Sequence, residues 1–211
     1  MTKREKIIQR ASEMFVEFGV KSVRMDDVAH DLAISKRTLY ELFADKQELL
    51  YHSISRVMNG EAEQIGTKVD TKVHGIPALF EIFNMMAARS HIRNRITENL
   101  RKFYPEVFER IMKESRDMGL AQLRQRLHEL VDLGLVLPDV NIDLAVTMFY
   151  YTSMGFLRRQ TKLVLPDGVT EQEAFAYTVV NFFRGLATLK GVEQIDAYVE
   201  ARKRKAGKSA I

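Results

Sequence analysis

The stretch RMDDVAHDLAISKRTLYELFADK, which runs from Arg24 to Lys46, contains two short amphipathic segments joined by the turn Ala33-Ile34-Ser35. Ser35 stands where an N-cap is expected, and its hydroxyl can accept a hydrogen bond from a free backbone N–H of the first turn. At 100° per residue, the apolar side chains after Ser35 fall on one side of a helix and the polar ones on the other. The first segment repeats this pattern from Met25. The stretch is therefore predicted to be a helix-turn-helix.

The same residues resemble the DNA-binding signature of TetR-type transcriptional regulators. The likeness includes the Ile34-Ser35 turn, the triplet Thr38-Leu39-Tyr40, Phe43 and Lys46. It implies a homodimer that binds operator DNA through these helices and releases the DNA when a small molecule enters the helical body.

Carried over residue by residue, the resemblance implies phosphate contacts for Thr38, Tyr40 and Lys46, and base contacts in the major groove for Lys36 and Arg37. Arginine and lysine donors suit guanine O6 and N7, and the positive end of a helix N-terminus favours a nearby phosphate. The full set expected to bind DNA is Arg24, Ser35, Lys36, Arg37, Thr38, Tyr40 and Lys46.

Two positions depart from the family's pattern. Ala33 stands where the turn usually holds glycine, so a left-handed backbone there would be strained by about 1 kcal/mol. Arg24 stands where Ser or Thr commonly caps the next helix; arginine is a poor N-cap but can reach a phosphate. Glu41 could accept from a cytosine N4 donor, yet an exposed glutamate on a short helix is more often only solvated, and it is left out of the set.

Composition narrows the class of protein. The 211 residues are 46% hydrophobic and 28% charged and contain no cysteine, which leaves no disulfide framework or thiolate site and makes the cytoplasm the expected compartment. No leader and no apolar run of membrane-spanning length is recognised. Residues 1–50 carry nine basic and nine acidic side chains, so DNA binding should depend on the arrangement of a few cations.

Helical periodicity predicts an all-α protein with three helices at the N-terminus, joined by a long helix to a C-terminal helical body. The resemblance implies that the first part is the helix-turn-helix DNA-binding domain and that the body is the ligand-binding and dimerisation domain. The predicted boundaries are 1–48, with the motif at about 24–43, then 49–192, and a basic C-terminal tail at 193–211. That tail is either a solvated end or an extension that touches DNA. The four prolines each stand near the start of a predicted helix and so mark helix starts at residues 77, 105, 138 and 166.

The body suggests a ligand site and an interface. Its Met and Phe residues are either plain core or, in part, the wall of a cavity; the residues predicted to bind a small-molecule effector are Phe83, Met86, His91, Tyr104 and Phe108. The last two predicted helices each carry two apolar rows, and one core needs only one of them. The surplus rows predict a homodimer interface that involves Phe149, Phe156, Phe175, Val179, Phe182 and Phe183.

Rival functions have less support. The sequence has no Gly-x-Ser-x-Gly elbow, no phosphate-cradling glycine loop and no paired histidine motif, so no enzyme, metal or cofactor is expected. A helical dimer that binds only proteins would more naturally expose apolar side chains than the cations of the second helix. The prediction is a ligand-responsive regulator of near-palindromic operators; repression is the usual outcome for such proteins, and activation is the alternative.

Overall fold

The computed structural model describes residues 1–68, 74–88, 90–157 and 164–206. Within these ranges the only β pairing is an isolated bridge between Val136 and Ala187, so the predicted all-α fold is confirmed. The helices of the described residues, in chain order, are α1 (Lys3–Phe18), α2 (Met25–Asp31), α3 (Lys36–Leu42), α4 (Lys46–Lys68), α5 (Ile76–Ala88), α6 (Ser90–Phe103), α7 (Pro105–Asp132), α8 (Ile142–Leu157), α9 (Glu171–Leu186) and α10 (Leu189–Ala206).

Local signals place several helix starts. Thr2 and Glu5 form a capping box at α1, in which each backbone N–H donates to the other side chain. Pro105 is the first residue of α7, as predicted. The interpretation of every proline as a helix start was too broad, because Pro138 and Pro166 lie in the loops that precede α8 and α9.

The chain divides into two compact units. Unit 1 consists of Met1–Gln64 and His91–Asp117, and unit 2 of Ile65–Ser90 and Met118–Ile211. The predicted boundary at residue 48 falls inside α4 and within unit 1. Consequently α6 and the first part of α7 pack with the helices of the predicted DNA-binding domain.

Unit 1 is built on a core of aliphatic and aromatic side chains beneath the helix-turn-helix. Ile7, Ala11 and Phe15 of α1 are almost fully buried, together with Leu39 of α3 and Ile54 of α4. Such close packing fixes the helix axes, because a side chain in a dense interior has few alternative positions. The core therefore holds the short helices α2 and α3, which are too short to be stable alone.

Unit 2 has an aromatic core. Phe83 of α5 stacks against Phe149 of α8 with ring centroids 4.7 Å apart, and Phe149 contacts Phe183 of α9 at 5.2 Å. Phe80 meets Phe183 edge to face at 5.8 Å. Aromatic rings bury large areas, so these contacts are expected to account for much of the stability of unit 2.

The C-terminal region differs from the prediction. Residues 193–206 belong to α10 rather than to a tail, and Ile195 is completely buried in unit 2. A Cβ at Gly191 would come within 2.1 Å of the Leu135 carbonyl oxygen, so only glycine permits this approach of α10. Thr188 lies between the end of α9 at Leu186 and the start of α10 at Leu189, and its Oγ1 accepts from the N–H of Gly191 at 3.2 Å.

Candidate nucleic-acid interface

The helix-turn-helix begins its second helix with a side-chain cap. The backbone N–H of Thr38 donates to Oγ of Ser35 at 3.0 Å, and the two hydroxyl oxygens lie 2.9 Å apart. Leu39 and Phe43 point into the core of unit 1 with no more than 1% of their surface exposed. The opposite arc of α3 is therefore left to the solvent.

The turn before α3 keeps the left-handed backbone even though it holds alanine. Ala33 has φ 51°, and it is the only residue other than glycine with positive φ in the described ranges. Two hydrogen bonds hold the turn: the N–H of Ala33 donates to the His30 carbonyl at 3.0 Å, and the N–H of Ile34 donates to the Ala29 carbonyl at 2.9 Å. The departure from glycine thus leaves the turn conformation in place at a cost of about 1 kcal/mol of strain.

An ion pair ties α1 to the end of α2. Arg10 donates two hydrogen bonds to the Asp31 carboxylate, at 2.7 and 2.9 Å. The Arg10 guanidinium holds the pKa of Asp31 below its ordinary value through these hydrogen bonds. A two-point contact of this kind fixes orientation as well as distance, and so aligns the motif on α1.

Both cations expected to read bases are paired with nearby carboxylates. Lys36 Nζ lies 2.6 Å from Asp26 Oδ2, and Arg37 Nε lies 2.9 Å from Glu41 Oε1. The side chains of Lys36 and Arg37 are 66% and 88% exposed. Exposed pairs contribute about 0.2–1 kcal/mol, so a better acceptor can displace either carboxylate at small cost.

The remaining predicted DNA-binding residues differ in how accessible they are. Tyr40 is 51% exposed. Arg24 is exposed, its side chain has no partner among the described residues, and its backbone N–H donates to Asp27 at 2.7 Å. Lys46 is half-buried, and its ammonium group donates a hydrogen bond to the Lys21 carbonyl at 3.4 Å. One of the three ammonium hydrogens therefore already has an acceptor within the protein.

The residues predicted to bind an effector do not form one cluster within either unit. Phe83 and Met86 belong to the core of unit 2, whereas Tyr104 and Phe108 belong to the core of unit 1. The side chain of His91 lies outside the described part of the chain. A cavity of about 180 Å³ in unit 1, between α1 and α6, is lined by other residues, including Phe15, Phe18, Arg95 and Asn99.

The predicted dimer interface requires correction. Phe149, Phe175, Val179 and Phe183 are at most 4% exposed because they form the core of unit 2 itself. The other two predicted residues, Phe156 and Phe182, are partly buried and pack against the same core. The largest rings gain most from burial, so they occupy the chain's own interior and are not available to a partner.

A different apolar row on α8 is exposed. Leu144, Met148 and Tyr151 follow one another at helical spacing and are 56%, 54% and 70% exposed. Tyr177 of α9 is 56% exposed. The row of Leu144 is one of the two apolar rows that the sequence pattern shows on this helix. The opposite row, which includes Phe149 and Phe156, was the one predicted to form the interface.

Sequence reasoning missed three residues near the motif. Asp26 pairs with Lys36 across the turn, while Lys21 and Lys102 approach the same aromatic ring from different elements. The contacts of Asp26 and Lys21 depend on tertiary packing, and that of Lys102 is with the ring of the next residue.

Comparison with known proteins supports a DNA-binding role. Residues 7–52 match the family described as bacterial regulatory proteins, tetR family. The chain is 26% identical over 155 residues to the HTH-type transcriptional activator FasR of Mycolicibacterium smegmatis, which covers 66% of this chain and 69% of that protein. It is 38% identical over 56 residues to an HTH-type transcriptional regulator of Staphylococcus aureus, covering 26% of this chain and 30% of that protein.

The likeness in fold extends further along the chain. A solved transcriptional regulator from Cytophaga hutchinsonii matches with a TM-score of 0.72 and 14% identity, over 87% of this chain and 98% of that one. Each of these proteins is named as a transcriptional regulator. Among the described residues, no helix is long and apolar enough to cross a membrane. The predicted resemblance to TetR-type regulators is confirmed.

Proposed function

We propose that the chain is a DNA-binding transcriptional regulator of the TetR family, whose family model its residues 7–52 match. In this proposal it is a homodimeric repressor of a near-palindromic operator and is released by a small molecule. The observation that carries the proposal is the exposed arc of α3. On that arc Arg37 and Tyr40 point away from the buried Leu39, and Lys36 lies at the margin of the arc. A short helix with its donors outward and its aliphatic side packed suits the major groove.

DNA binding would exchange one set of partners for another. Arg37 would leave Glu41 for guanine O6 and N7, and Lys36 would leave Asp26 in the same way. Tyr40 and Thr38 would contact phosphate, since the N-terminus of α3 and its hydroxyl cap favour an anion there. Arg24, Ser35 and Lys46 complete the proposed DNA-binding set.

The dimer would form through the exposed row of α8. Leu144, Met148 and Tyr151 present a continuous apolar strip, to which Tyr177 of α9 adds a further exposed ring. A symmetric pair of these helices would remove the strip from water, which supplies the driving force for association. Two recognition helices about 34–36 Å apart would then reach successive major grooves.

Ligand response would depend on unit 2 and on α4. Phe83 and Met86 lie in an apolar core that an apolar effector could enter by displacing packed side chains. The helix α4 begins at Lys46 beside α3, and its last residues belong to unit 2. A coupling of about 1–3 kcal/mol through this helix would suffice to release the operator.

Activation is the second candidate function. The FasR relative is named as an activator and matches over more of the chain than the Staphylococcus relative does. Both outcomes use the same DNA contacts, because they differ in where the operator lies relative to the promoter. The selected operator, cloned upstream of a reporter gene, decides between them by the sign of the change in expression.

Selection from random duplex DNA tests the core of the proposal. The wild-type chain is expected to enrich a near-palindrome. The variants Arg37→Ala and Tyr40→Ala should each bind that sequence about 10- to 100-fold more weakly, in line with about 1–3 kcal/mol for a lost base or phosphate contact. Sequence-blind binding by the wild type would contradict the proposal.

A matched variant separates DNA contact from general loss of charge. Arg126 forms a helical ion pair with Glu129 at 2.9 Å and is 58% exposed, much as Arg37 pairs with Glu41. Arg126→Ala removes the same charge from α7 and should leave operator affinity within about twofold. Equal losses in Arg37→Ala and Arg126→Ala would show that net charge, rather than α3, determines binding.

A further inference from the structure

Three lysines surround a pair of aromatic rings at the junction of α6 and α7. The ammonium nitrogens of Lys21 and Lys102 lie 4.9 and 5.3 Å from the centroid of the Phe103 ring. The ammonium of Lys46 lies 5.3 Å from the centroid of the Tyr104 ring and donates to the Lys21 carbonyl at 3.4 Å. All five residues belong to unit 1.

The three lysines differ from the cations of α3 in having no acidic partner in the described part of the chain. Lys36 and Arg37 on α3 each have a carboxylate within 3 Å, whereas in the described part of the chain no carboxylate pairs with any of the three lysines. Lys21 and Lys102 contact the same ring, so their ammonium nitrogens are at most the sum of the two centroid distances apart. That upper limit is close to the Debye length, which is about 10 Å at 0.1 M salt. Like charges this close repel one another, and an anion placed among them would remove that cost.

We propose that Lys21, Lys46 and Lys102 form a phosphate clamp that grips the DNA backbone beside the helix-turn-helix. The proposal rests on the proposed function, since Lys46 belongs to the predicted DNA-binding set and opens α4 directly after the end of α3. Lys21 lies in the turn before α2, and Lys102 lies in the last turn of α6. The clamp thus adds to the DNA surface a helix that lies outside the matched residues 7–52.

The two rings hold the ammonium groups in place. A lysine stem is flexible, but attraction to the face of an aromatic ring favours one position of its ammonium group. Phe103 and Tyr104 therefore keep three charges together before DNA arrives. Contacts of this kind carry no sequence information, so the clamp contributes affinity and leaves the choice of operator to α3.

Salt dependence of DNA binding tests the clamp on the full chain. A plot of log affinity against log salt concentration has a negative slope, and each phosphate contact that is lost makes this slope less steep by about 0.9. Lys21→Gln and Lys102→Gln are each expected to reduce the slope by about that amount, and the double variant by about twice as much. Affinity for the operator and for a scrambled duplex should fall by the same factor, so that their ratio is unchanged.

Two controls make the test specific. Lys113 is an exposed lysine of α7 in the same unit and has no contact with the ring pair, so Lys113→Gln should keep the wild-type slope. Lys102→Arg keeps the charge and should restore the slope that Lys102→Gln loses. A wild-type slope in the double variant, together with a retained operator preference, would overturn the clamp alone. Absence of operator preference in the wild type would instead sink the proposed function.

A second readout needs no substitution. Brief acylation of lysine amines, followed by mass spectrometry, compares their reactivity in the free chain and in its complex with the operator. Lys21 and Lys102 are expected to become at least severalfold less reactive in the complex, while Lys113 keeps its reactivity. Unchanged reactivity of Lys21 and Lys102 in a saturated complex would contradict the clamp.

Discussion

The two units of the chain expose opposite kinds of surface above similarly dense cores. In unit 1 the exposed arc of α3 is charged, and its cations are held by carboxylates such as Asp26 and Glu41. In unit 2 the exposed row of α8 is apolar, and more than half of the surface of Met148 and of Tyr151 is exposed. A charged surface is well solvated and so needs no permanent partner. An exposed apolar row of this length, in contrast, is typical of a permanent interface.

The difference also shows which kind of sequence signal is reliable. In unit 1 the functional arc follows from local features: Ser35 caps α3, and Leu39 marks the buried side. In unit 2 both rows of α8 are apolar, so local pattern cannot decide which row the core takes. Phe149 of the predicted interface lies in the core for that reason, and the part that this row plays in a dimer stays a prediction.

The sharpest test of this comparison uses two adjacent residues of α8. Phe149 is 2% exposed and Met148 is 54% exposed. Phe149→Ala should lower the free energy of unfolding by about 3–5 kcal/mol, because it removes a ring from the aromatic core and leaves a cavity. Met148→Ala should change the stability of the chain itself by about 0.5 kcal/mol at most and weaken self-association instead. Chemical denaturation and analytical ultracentrifugation measure the two effects.

The opposite results would contradict the assignment of Phe149 to the core and of Met148 to self-association. If Met148→Ala destabilised the chain at high dilution as much as Phe149→Ala, the exposed row would be part of the core. If Phe149→Ala dissociated the dimer while the fold kept its stability, the interface predicted from sequence would be restored.

A second test compares the helix caps of the two units. Ser35→Ala and Thr170→Ala each remove a side-chain acceptor from a helix N-terminus, at α3 and α9. Each should cost about 1 kcal/mol of unfolding free energy. Only Ser35→Ala should also weaken operator binding, because α3 is the helix that reads DNA in the proposed function.

Fluorescence anisotropy with the selected operator gives the second readout for these caps. A loss of operator affinity in Thr170→Ala at temperatures where the variant remains folded would show that the units are coupled more tightly than the comparison assumes. Equal affinity in Ser35→Ala and the wild type would remove the cap from the DNA-binding set.

A third test uses the polar network that unit 2 keeps in its otherwise apolar interior. The Tyr198 hydroxyl donates to Glu81 at 2.8 Å and accepts from Asn84 at 2.7 Å. Burial, and then the hydrogen bond to Glu81, raise the pKa of Tyr198 to about 12. The unfolded chain releases this proton near pH 10, so the stabilisation is complete below pH 10 and is lost as pH rises toward 12.

The expected loss at Tyr198 is about 1 kcal/mol, after allowance for the partial exposure of the ring. Urea denaturation at pH 9 and pH 11 should show it in the wild type, and the Tyr198→Phe variant should show a correspondingly smaller change between the two. An identical change in both proteins would mean that Tyr198 ionises as it does in the unfolded chain.

The smallest expected effect concerns the turn of the motif. Ala33→Gly removes the left-handed strain but adds freedom to the unfolded chain, so the net gain should be about 0.5 kcal/mol. Thermal unfolding should show a slightly higher midpoint. A lower midpoint would mean that the alanine methyl group makes a stabilising contact that outweighs its backbone strain.

Much of the fold could be predicted because its signals are local. Ser35 caps α3 as predicted, and the buried row of α1 follows helical spacing. Thr2 and Thr170 cap α1 and α9 through contacts three residues apart, which are equally local. The prediction of α10 failed because the basic run after residue 201 outweighed the buried Ile195. Lys21 and Lys102 could not be linked from sequence, because only tertiary packing brings them to one ring.

The ion pairs on α3 also bear on how quickly such a protein finds its target. A genome offers about 10⁶–10⁹ competing sites, so time lost at wrong sequences matters as much as affinity for the right one. Random DNA gains little by displacing Asp26 from Lys36 or Glu41 from Arg37, since it offers no matched acceptor in return. In the proposed function, residence at each wrong site would therefore be short. The protein would scan with the cations of α3 neutralised and would stop only where base edges outcompete Asp26 and Glu41.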